Sequence, residues 1–374
     1  MKIAQIVASL ESRHGGPSRS VLGLSSGLAA LGHSVELLTT RENGIELVEK
    51  NGPLATLAFP RGWPRRFCPA TQLRDHLQSR DHDLIHSHGL WLRPLHYARL
   101  VSERHSVPLV ISPRGMMSPW AWNHHRPRKA FAARFIHPNA FLHAAGWHAT
   151  SQAEADDIRR LGFTQPVCVA ANGVTPPSPN DESIAARHWR ETVPGLSGRR
   201  VALFYSRFHA KKRVLELIDL WLSKPRGDWV LLMVGIPEQY SVHQLDSYLL
   251  RNGGANHVFV RDGDGLPHPY AAASLFLLPS HSENFGQVVV EALVHGLPVL
   301  TTDGTPWSAL DKEGAGRCVA WKDYGNALDA LLASSTESLH SSGERARIWA
   351  RAGFSWEQSA SILADFYRQL RTAR

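Results

Sequence analysis

Two carboxylates eight residues apart, Glu283 and Glu291, mark a stretch of the chain whose pattern suits ligand binding. An apolar run ends at Pro279, a polar loop continues to Gly286, and a short helical pattern occupies residues 287–295. The first N–H groups of a helix have no partner within it, so a loop that leads into a helix forms an anion site. Glu291 interrupts an apolar run, and a buried carboxylate needs partners such as sugar hydroxyls. We therefore predict a binding site here, although each glutamate alone is also typical of an ordinary helix start.

A cationic loop accompanies this stretch. Arg207 and Lys212 lie five positions apart, after an apolar run at residues 201–205 that predicts a strand. Two cations together with helical N–H groups would stabilise the charge of a departing diphosphate. A cluster of this kind is by itself typical of a basic surface, and its occurrence together with Glu283 and Glu291 favours a binding role.

Two polar side chains in the first half of the chain also follow predicted strands. His88 follows a short strand at residues 84–87, and Arg114 follows a strand at residues 108–112. Ligands of open parallel sheets bind outside the carboxyl ends of the strands, so both side chains could face a ligand. For His88 a hydrogen-bonded structural role is favoured about equally.

The elements that must position these residues begin with a strand at residues 2–8. A loop with Gly15 and Gly16, a helix at residues 21–31 and a strand at residues 35–39 complete a Rossmann-like opening. The loop lacks the G-x-G-x-x-G fingerprint of dinucleotide binding. Its glycines either let the backbone approach a ligand or make a tight turn.

The organisation of the whole chain predicts two α/β domains. A second alternating series of strands and helices begins at residue 201, after the proline-rich segment 175–180. We predict two Rossmann-like domains with parallel sheets, at residues 1–174 and 175–355, and a last helix that begins at residue 356.

The composition describes a globular protein without a membrane span or a disulfide framework. The 374 residues are 43% hydrophobic and 20% charged. No apolar run reaches the roughly 20 residues that cross a bilayer. The three cysteines are far apart, which fits a reducing cytoplasm.

The positive charge is confined to the first half. Residues 1–172 hold 20 Lys and Arg against 12 Asp and Glu, whereas residues 173–374 hold 21 basic and 21 acidic residues. A basic half suits nucleic acid, an anionic membrane surface or a phosphate-bearing substrate, and solubility alone is the alternative. The segment 120–145 mixes cations with aromatic residues, namely Arg126, Arg128, Lys129, Arg134, Phe131 and Phe135. This pattern favours an anionic membrane or a lipid-linked substrate about as strongly as an ordinary solvated helix face.

Taken together, these motifs resemble those of the retaining glycosyltransferase family 4. Glu283 and Glu291 match the E-x7-E signature of that family, and further matching segments are residues 15–19, 86–91, 112–116, 149–151, 172–174, 206–212, 282–299 and 305–307. The resemblance covers nearly the whole chain. It implies the GT-B fold, in which two Rossmann-like domains face each other across a cleft. It also implies that the last helix, about residues 356–374, packs back on the first domain.

The resemblance implies donor-binding roles in the second domain. Arg207 and Lys212 would hold the donor diphosphate, Glu291 would bind the ribose, and Glu283 would contact the donor sugar. The catalytic set would consist of four residues, Glu283, Arg207, Lys212 and His88.

Further positions are implied to line the same substrates. Arg261 would mark the loop that binds the nucleotide base. The other donor-side positions are Gly15, Gly16, Asn284, Phe285 and Gly286. The positions that face the acceptor or the transferred sugar are Arg19, His88, Trp91 and Arg114.

The implied reaction moves a sugar from a UDP- or GDP-type nucleoside diphosphate sugar to a carbohydrate or lipid-linked acceptor. Such a reaction belongs to polysaccharide or lipopolysaccharide synthesis. The family needs no metal or other cofactor, and the two D-x-D matches at residues 81–83 and 262–264 are a weak metal signal. We expect a cytoplasmic protein with peripheral contact at the inner face of the plasma membrane and no nucleic-acid partner. Two alternatives stay open, a nucleotide-sugar epimerase of the same fold and a nucleotide-sugar-binding subunit without activity.

Overall fold

The structure, a computed structural model, describes residues 1–11, 16–42, 47–124 and 126–372. The chain divides into two units. The first comprises Met1–Gly173 together with Phe354–Arg374, and the second comprises Val174–Gly353. Each unit contains one sheet, so the predicted α/β class with two parallel-sheet domains is confirmed.

The sheet of the first unit has eight strands among the described residues. They are β1 (Lys2–Val7), β2 (Ser34–Arg41), β3 (Leu47–Asn51), β4 (Leu54–Pro60), β5 (Leu84–His88), β6 (Leu109–Ser112), β7 (Gly146–Ala149) and β8 (Val167–Val169). The order is β3-β4-β2-β1-β5-β6-β7-β8, and all neighbours are parallel except β3 and β4. The first strand thus lies between β2 and β5, where the direction of connection reverses. Such a switch point is where open parallel sheets bind ligands.

Eight α-helices belong to the described part of the first unit. They are α1 (Gly16–Ala30), α2 (Thr71–Ser79), α3 (Arg93–His105), α4 (Pro119–Asn123), α5 (Arg126–Phe131), α6 (Ala140–His143), α7 (Gln152–Arg160) and, from the end of the chain, α14 (Trp356–Thr372). A π-helical turn, Ala132–Ile136, continues α5. Among the described helices, none has the length and apolar composition that crossing a bilayer requires.

The last helix, α14, is part of the core of the first unit. Leu363, Phe366 and Tyr367 are buried in the same apolar cluster as Leu28 of α1. The two helices approach closely because α1 carries glycine at the contact. A Cβ atom at Gly23 would lie 2.3 Å from the ring of Trp356.

The second unit contains a six-stranded parallel sheet. Its strands are β9 (Arg200–Tyr205), β10 (Trp229–Gly235), β11 (Val258–Asp262), β12 (Leu275–Leu278), β13 (Val299–Thr302) and β14 (Gly316–Val319). The order β11-β10-β9-β12-β13-β14 is that of the doubly wound Rossmann sheet. The central strands read as continuous apolar runs because helices cover both of their faces. The helices are α8 (Pro179–Thr192), α9 (Val214–Leu222), α10 (Val242–Arg251), α11 (Gln287–Val294), α12 (Trp321–Leu332) and α13 (Thr336–Gly353).

Three local predictions were wrong. The first helix begins at Gly16 and not at residue 21, because proline is accommodated in the first turn of a helix. Helix α8 begins at Pro179, inside the proline-rich segment 175–180 that was predicted to precede the second α/β series, and Ser178 caps it by accepting from the N–H of Asp181. Arg261 lies in strand β11 and not in a loop.

Candidate functional site

The switch point of the second sheet lies between β9 and β12, which are hydrogen-bonded neighbours. The cationic loop follows β9, and the polar loop with Glu283 follows β12. Because the carboxyl ends of parallel strands meet at one edge of a sheet, the topology brings these two loops together. The edge is the one at which a doubly wound sheet binds its ligand.

Lys212 and Glu283 form a buried ion pair at this edge. The Lys212 ammonium donates to Oε1 of Glu283, which also accepts from the Ser280 hydroxyl at 2.7 Å. The two side chains are only 9% and 13% exposed. Burial raises the pKa of Glu283, but the charge and hydrogen bond of Lys212 outweigh it and hold the pKa below its ordinary value. The carboxylate is therefore charged at neutral pH.

Backbone contacts fix the loop that carries Glu283. The N–H of Glu283 donates to the carbonyl of Gly304 at 2.9 Å, and the N–H of His281 donates to the carbonyl of Lys211 at 2.8 Å. The second of these bonds ties the polar loop to the cationic loop. The pair is thus held from both sides by the main chain.

The same loop continues into helix α11. Asn284 lies half-buried and Phe285 buried before Gly286, which precedes the helix with a φ of 77°. The carbonyl of Phe285 accepts from the indole N–H of Trp307 at 2.5 Å. The left-handed backbone of Gly286 favours glycine, and it turns the chain into the helix so that the first helical N–H groups face the loop. The helix start lies close to the pair, because a Cβ atom at Gly286 would lie 3.5 Å from Cγ of Glu283, and its partial positive charge favours an anion at this edge.

Glu291 lies in the second turn of α11. Its Oε2 accepts from the hydroxyl of Tyr270 at 2.7 Å, and Tyr270 is fully buried. The ring of Tyr270 packs against Tyr205 at the end of β9, with centroids 5.4 Å apart. Glu291 is thus oriented by an aromatic side chain at the same sheet edge as Glu283.

Arg207 and Arg261 make no hydrogen bond to the buried pair in the described part of the structure. The guanidinium of Arg207 donates to Glu238 at 2.9 Å in an ion pair that is nearly half exposed. In this structure Arg207 and Lys212 therefore bind different carboxylates. Arg261 donates to the carbonyl of Val260 at 2.7 Å, on a strand two places from β9, which is about 10 Å by strand spacing.

The first unit places His88 and Arg114 in direct contact. His88 ends β5 at the switch point beside β1, and Arg114 follows β6. The guanidinium of Arg114 donates to Nδ1 of His88 through Nη2 at 3.0 Å and Nε at 3.3 Å, and through Nη1 to Oδ1 of Asn172 at 2.8 Å. Burial lowers the pKa of Arg114 to about 10, so it stays charged at neutral pH, and burial lowers the pKa of His88 well below its ordinary value. His88 is therefore neutral.

A buried carboxylate that the sequence did not assign to this site holds the loop of Arg114. Glu154 accepts from the N–H of Gly115 at 2.6 Å and from the N–H and hydroxyl of Thr150 at 2.8 and 2.9 Å. Arg114 and Gly115 both have positive φ angles, of 53° and 80°. The left-handed backbone is unfavourable for arginine, and the hydrogen bonds of the Glu154 carboxylate stabilise the turn in spite of that cost.

Three buried histidines near this site could suggest a metal centre. The ring nitrogens of His86, His88 and His148 lie within 4.8 Å of one another. Both nitrogens of His88, however, already have partners, Arg114 and Gln5. A cation there would also lie beside the Arg114 guanidinium, so the donor set does not fit a metal ion.

The remaining predicted positions in the first unit are dispersed. Gly15 lies outside the described residues, Gly16 begins α1, and Arg19 is exposed in the first turn of α1. Trp91 is half-buried among aromatic side chains, with ring centroids 5.4 to 5.7 Å from Trp122, His137 and Phe141. The structure therefore brings His88 and Arg114 together and packs Trp91 into an aromatic cluster.

Comparison with known proteins identifies relatives of both units. The family model Glycosyltransferase Family 4 matches residues 14–176, and the model Glycosyl transferases group 1 matches residues 187–349. The D-inositol 3-phosphate glycosyltransferase of Xylanimonas cellulosilytica is 26% identical over 95% of this chain and 92% of its own length. The lipopolysaccharide core biosynthesis mannosyltransferase LpsB of Rhizobium meliloti is 29% identical over 39% of this chain and 44% of its own length.

A solved structure supports the same fold. The crystal structure of Anabaena HepE in complex with UDP-glucose superposes with a TM-score of 0.75 at 19% identity, covering 99% of this chain and 100% of that chain. Similarity at this level of identity establishes the fold.

Proposed function

We propose that this chain, which belongs to the family 4 glycosyltransferases, transfers a sugar from a nucleoside diphosphate sugar to a carbohydrate or lipid-linked acceptor. One observation carries the proposal above all, the buried Lys212–Glu283 pair at the switch point of the second sheet, beside the start of α11. Burying two charges costs free energy even when they pair, and ionisable groups with such surroundings are enriched at binding and catalytic sites.

Each donor-side residue has a proposed role that its surroundings support. Lys212 and the start of α11 stabilise the negative charge that develops on the departing diphosphate. Arg207 would also stabilise this negative charge once its guanidinium has left its exposed partner Glu238. Glu283 stays ionised and stabilises positive charge on the sugar carbon, and Glu291, oriented by Tyr270, accepts from the ribose hydroxyls.

The stereochemical course follows from the family resemblance. We expect retention of configuration, with the acceptor hydroxyl giving its proton to the departing phosphate on the same face of the sugar. This route requires no strong protein base. The neutral, fully hydrogen-bonded His88 is consistent with it, because such a side chain is not poised to remove a proton.

A matched pair of variants tests the donor site. Lys212→Met removes the buried cation, and Lys224→Met removes a cation from the exposed pair with Asp329. We expect Lys212→Met to lower sugar transfer at least about 100-fold, since hydrogen bonds to charged groups contribute about 1.5–3 kcal/mol each. Lys224→Met should retain wild-type turnover. Wild-type turnover by folded Lys212→Met would refute the proposed site.

The donor is proposed to be of the UDP type, as in the Anabaena relative that binds UDP-glucose. Thermal unfolding with UDP, GDP and ADP compares the bases, because a ligand that binds only the native state raises the midpoint by mass action. We expect the largest shift with UDP, and a larger shift with GDP would overturn this choice. NMR of the donor without acceptor separates transfer from epimerisation, and binding without any turnover would indicate a non-catalytic subunit.

The acceptor is proposed to be part of a cell-surface polysaccharide or lipopolysaccharide, as the mannosyltransferase relative suggests. Phe131 and Phe135 are at least half exposed and lie in contact with each other on α5 and the following turn. The neighbouring cations are Arg126, Arg128 and Arg134. We propose that this basic, aromatic surface contacts the anionic inner face of the plasma membrane, where a lipid-linked acceptor would lie.

Vesicle sedimentation tests the membrane contact. The double variant Phe131→Ser/Phe135→Ser should lose binding to vesicles that contain phosphatidylglycerol. The control Ile348→Ser, at an exposed apolar position of α13, should not. Equal binding of wild type and double variant, or no binding by wild type, would exclude this surface.

A further inference from the structure

Arg114 is the member of the His88–Arg114 pair that can reach a ligand. His88 is buried and both of its ring nitrogens have partners, whereas Arg114 is partly exposed. The guanidinium has five N–H groups, and three of them point to His88 and Asn172. Among the described residues, the other two N–H groups have no acceptor.

The contacts determine which tautomer His88 adopts. A guanidinium only donates hydrogen bonds, so Nδ1 of His88 accepts from Arg114 and carries no proton. The proton is therefore on Nε2, and it is donated to Oε1 of Gln5 at 2.6 Å. In the other tautomer Nδ1 would carry a proton, and two donors, Nδ1–H and the guanidinium N–H groups of Arg114, would face each other without an acceptor.

The orientation of Gln5 is determined in turn by Tyr367. The Gln5 amide nitrogen donates to the Tyr367 hydroxyl at 3.4 Å, and that hydroxyl forms a second hydrogen bond with Nδ1 of His86 at 2.6 Å. If the amide were flipped, its N–H groups would oppose Nε2–H of His88. Gln5, His86 and Tyr367 are fully buried, so water cannot replace any of these partners.

A directional series of hydrogen bonds therefore runs from the last helix to Arg114. Tyr367 comes from α14 and Gln5 from β1, so groups 362 positions apart in sequence act on one guanidinium. Every partner of Arg114 in this series is neutral. Its hydrogen-bond partners orient the positive charge, and the carboxylate of Glu154 acts on that charge only through space.

We propose that Arg114 binds an anionic oxygen of the substrate, a phosphate or carboxylate carried by the donor or the acceptor, and that His88, Gln5 and Tyr367 are positioning residues that act through it. The planar fork of the guanidinium matches such an oxygen pair. The inference rests on the proposed function only in taking the substrate to be a nucleotide sugar or its acceptor. It changes the predicted role of His88 from a catalytic group to a positioning group.

Chemical rescue tests the role of Arg114. We expect Arg114→Ala to lower kcat/KM about 100-fold, the effect of losing hydrogen bonds to a charged group. Because His88 and Asn172 remain, ethylguanidinium added at millimolar concentration should restore at least about tenfold, and ethylammonium, which lacks the planar fork, should not. Wild-type kcat/KM in Arg114→Ala, or a folded inactive variant that ethylguanidinium cannot restore, would overturn the proposal.

A second variant tests the positioning residues. Tyr367→Phe removes only the hydroxyl and should lower kcat/KM about tenfold, as expected for one hydrogen bond of about 1.4 kcal/mol. It should also change the ring ¹⁵N shifts of His88, which report the tautomer. Tyr97→Phe, at another buried tyrosine of the first unit, should change neither quantity. Unaltered ¹⁵N shifts in Tyr367→Phe would overturn the positioning role.

The two proposals can fail separately. If the wild-type protein transfers no sugar from any donor, the proposed function fails, and the ¹⁵N shifts still decide whether Tyr367 positions His88. If the wild-type protein is active and Tyr367→Phe changes the ¹⁵N shifts of His88 without lowering kcat/KM, the proposed function stands and the positioning inference fails.

Discussion

Removing one member of the Lys212–Glu283 pair should destabilise the second unit far more than removing one member of a surface ion pair. Both side chains are almost inaccessible to water, and Glu283 has the Ser280 hydroxyl as a second partner. Lys212→Met would leave a buried carboxylate without its cation. Glu283→Gln would leave a buried ammonium facing a neutral amide.

The expected magnitude follows from burial. Breaking a buried pair by removing one partner costs about 3–5 kcal/mol, whereas the exposed pair of Lys224 and Asp329 contributes about 0–1 kcal/mol. The double variant Lys212→Met/Glu283→Gln removes both charges, so it should cost less than the sum of the single variants by at least about 2 kcal/mol. In a domain of this size, about 1 kcal/mol shifts the unfolding midpoint by about 2–4 °C.

Urea unfolding followed by circular dichroism, with Lys224→Met as the control, measures these differences. The reasoning is refuted if Lys212→Met costs no more than Lys224→Met, or if the two single effects add in the double variant. The first result would mean that the pair is solvated in solution. The second would mean that the two charges do not interact.

The same pair predicts a dependence on acidity. The pKa of Glu283 in the folded state lies below its ordinary value of 4.5, so the carboxylate contributes stability above that pH. This contribution is lost as the pH falls from about 4.5 through the folded-state pKa. The stability difference between wild type and Glu283→Gln should therefore shrink in acid, and a difference that is constant from pH 7 to pH 3 would contradict the assignment.

Three further predictions concern the supports of the two sites. Gly23→Ala should destabilise the first unit by about 1–3 kcal/mol in thermal unfolding, because the added methyl collides with Trp356, and not stabilise it as in an ordinary helix. Glu154→Gln should cost about 1–3 kcal/mol, since an amide has one acceptor oxygen where the carboxylate uses two, and unchanged stability would show that the turn holds itself. Tyr270→Phe should raise the donor KM about 3–10-fold with kcat nearly unchanged, because Glu291 loses one orienting hydrogen bond, and an equal fall in kcat would contradict a binding role.

The elements around Glu283 could be predicted from local sequence. The apolar run that was predicted to end at Pro279 contains the strand Leu275–Leu278, and the helix predicted at residues 287–295 is α11, which ends one residue earlier. Both elements are apolar enough to be buried, and Gly296 and Pro298 mark the end of the helix before the next strand.

One missed element had a readable local signal. The antiparallel strands β3 and β4 pair Asn51 with Leu54, so Gly52 and Pro53 form the two-residue turn, and glycine at the first turn position is typical of a hairpin. The φ of Gly52 is 59°, the left-handed backbone that such a turn requires.

The partners of the site residues could not be predicted, because they are distant in sequence. Lys212 and Glu283 are 71 positions apart, and Arg114 and Asn172 are 58 apart. Glu154 shows how a local pattern can mislead. A glutamate three positions after a serine is typical of a helix capping box, and Ser151 does accept from the N–H of Glu154, but the carboxylate of Glu154 binds the turn of Arg114.

Each of the two sheets has a cation at the carboxyl ends of its strands, Lys212 after β9 and Arg114 after β6, but the two cations are compensated differently. Lys212 follows β9 and is neutralised by Glu283, which follows the neighbouring strand β12. Arg114 has only neutral acceptors, His88 and Asn172. A diphosphate that approaches Lys212 must therefore compete with a carboxylate, and the start of α11 and Arg207 are needed to favour it. An anion that approaches Arg114 displaces no hydrogen-bonded carboxylate, because Glu154 acts on the guanidinium only through space, so the first unit would bind an anion there without a second cation.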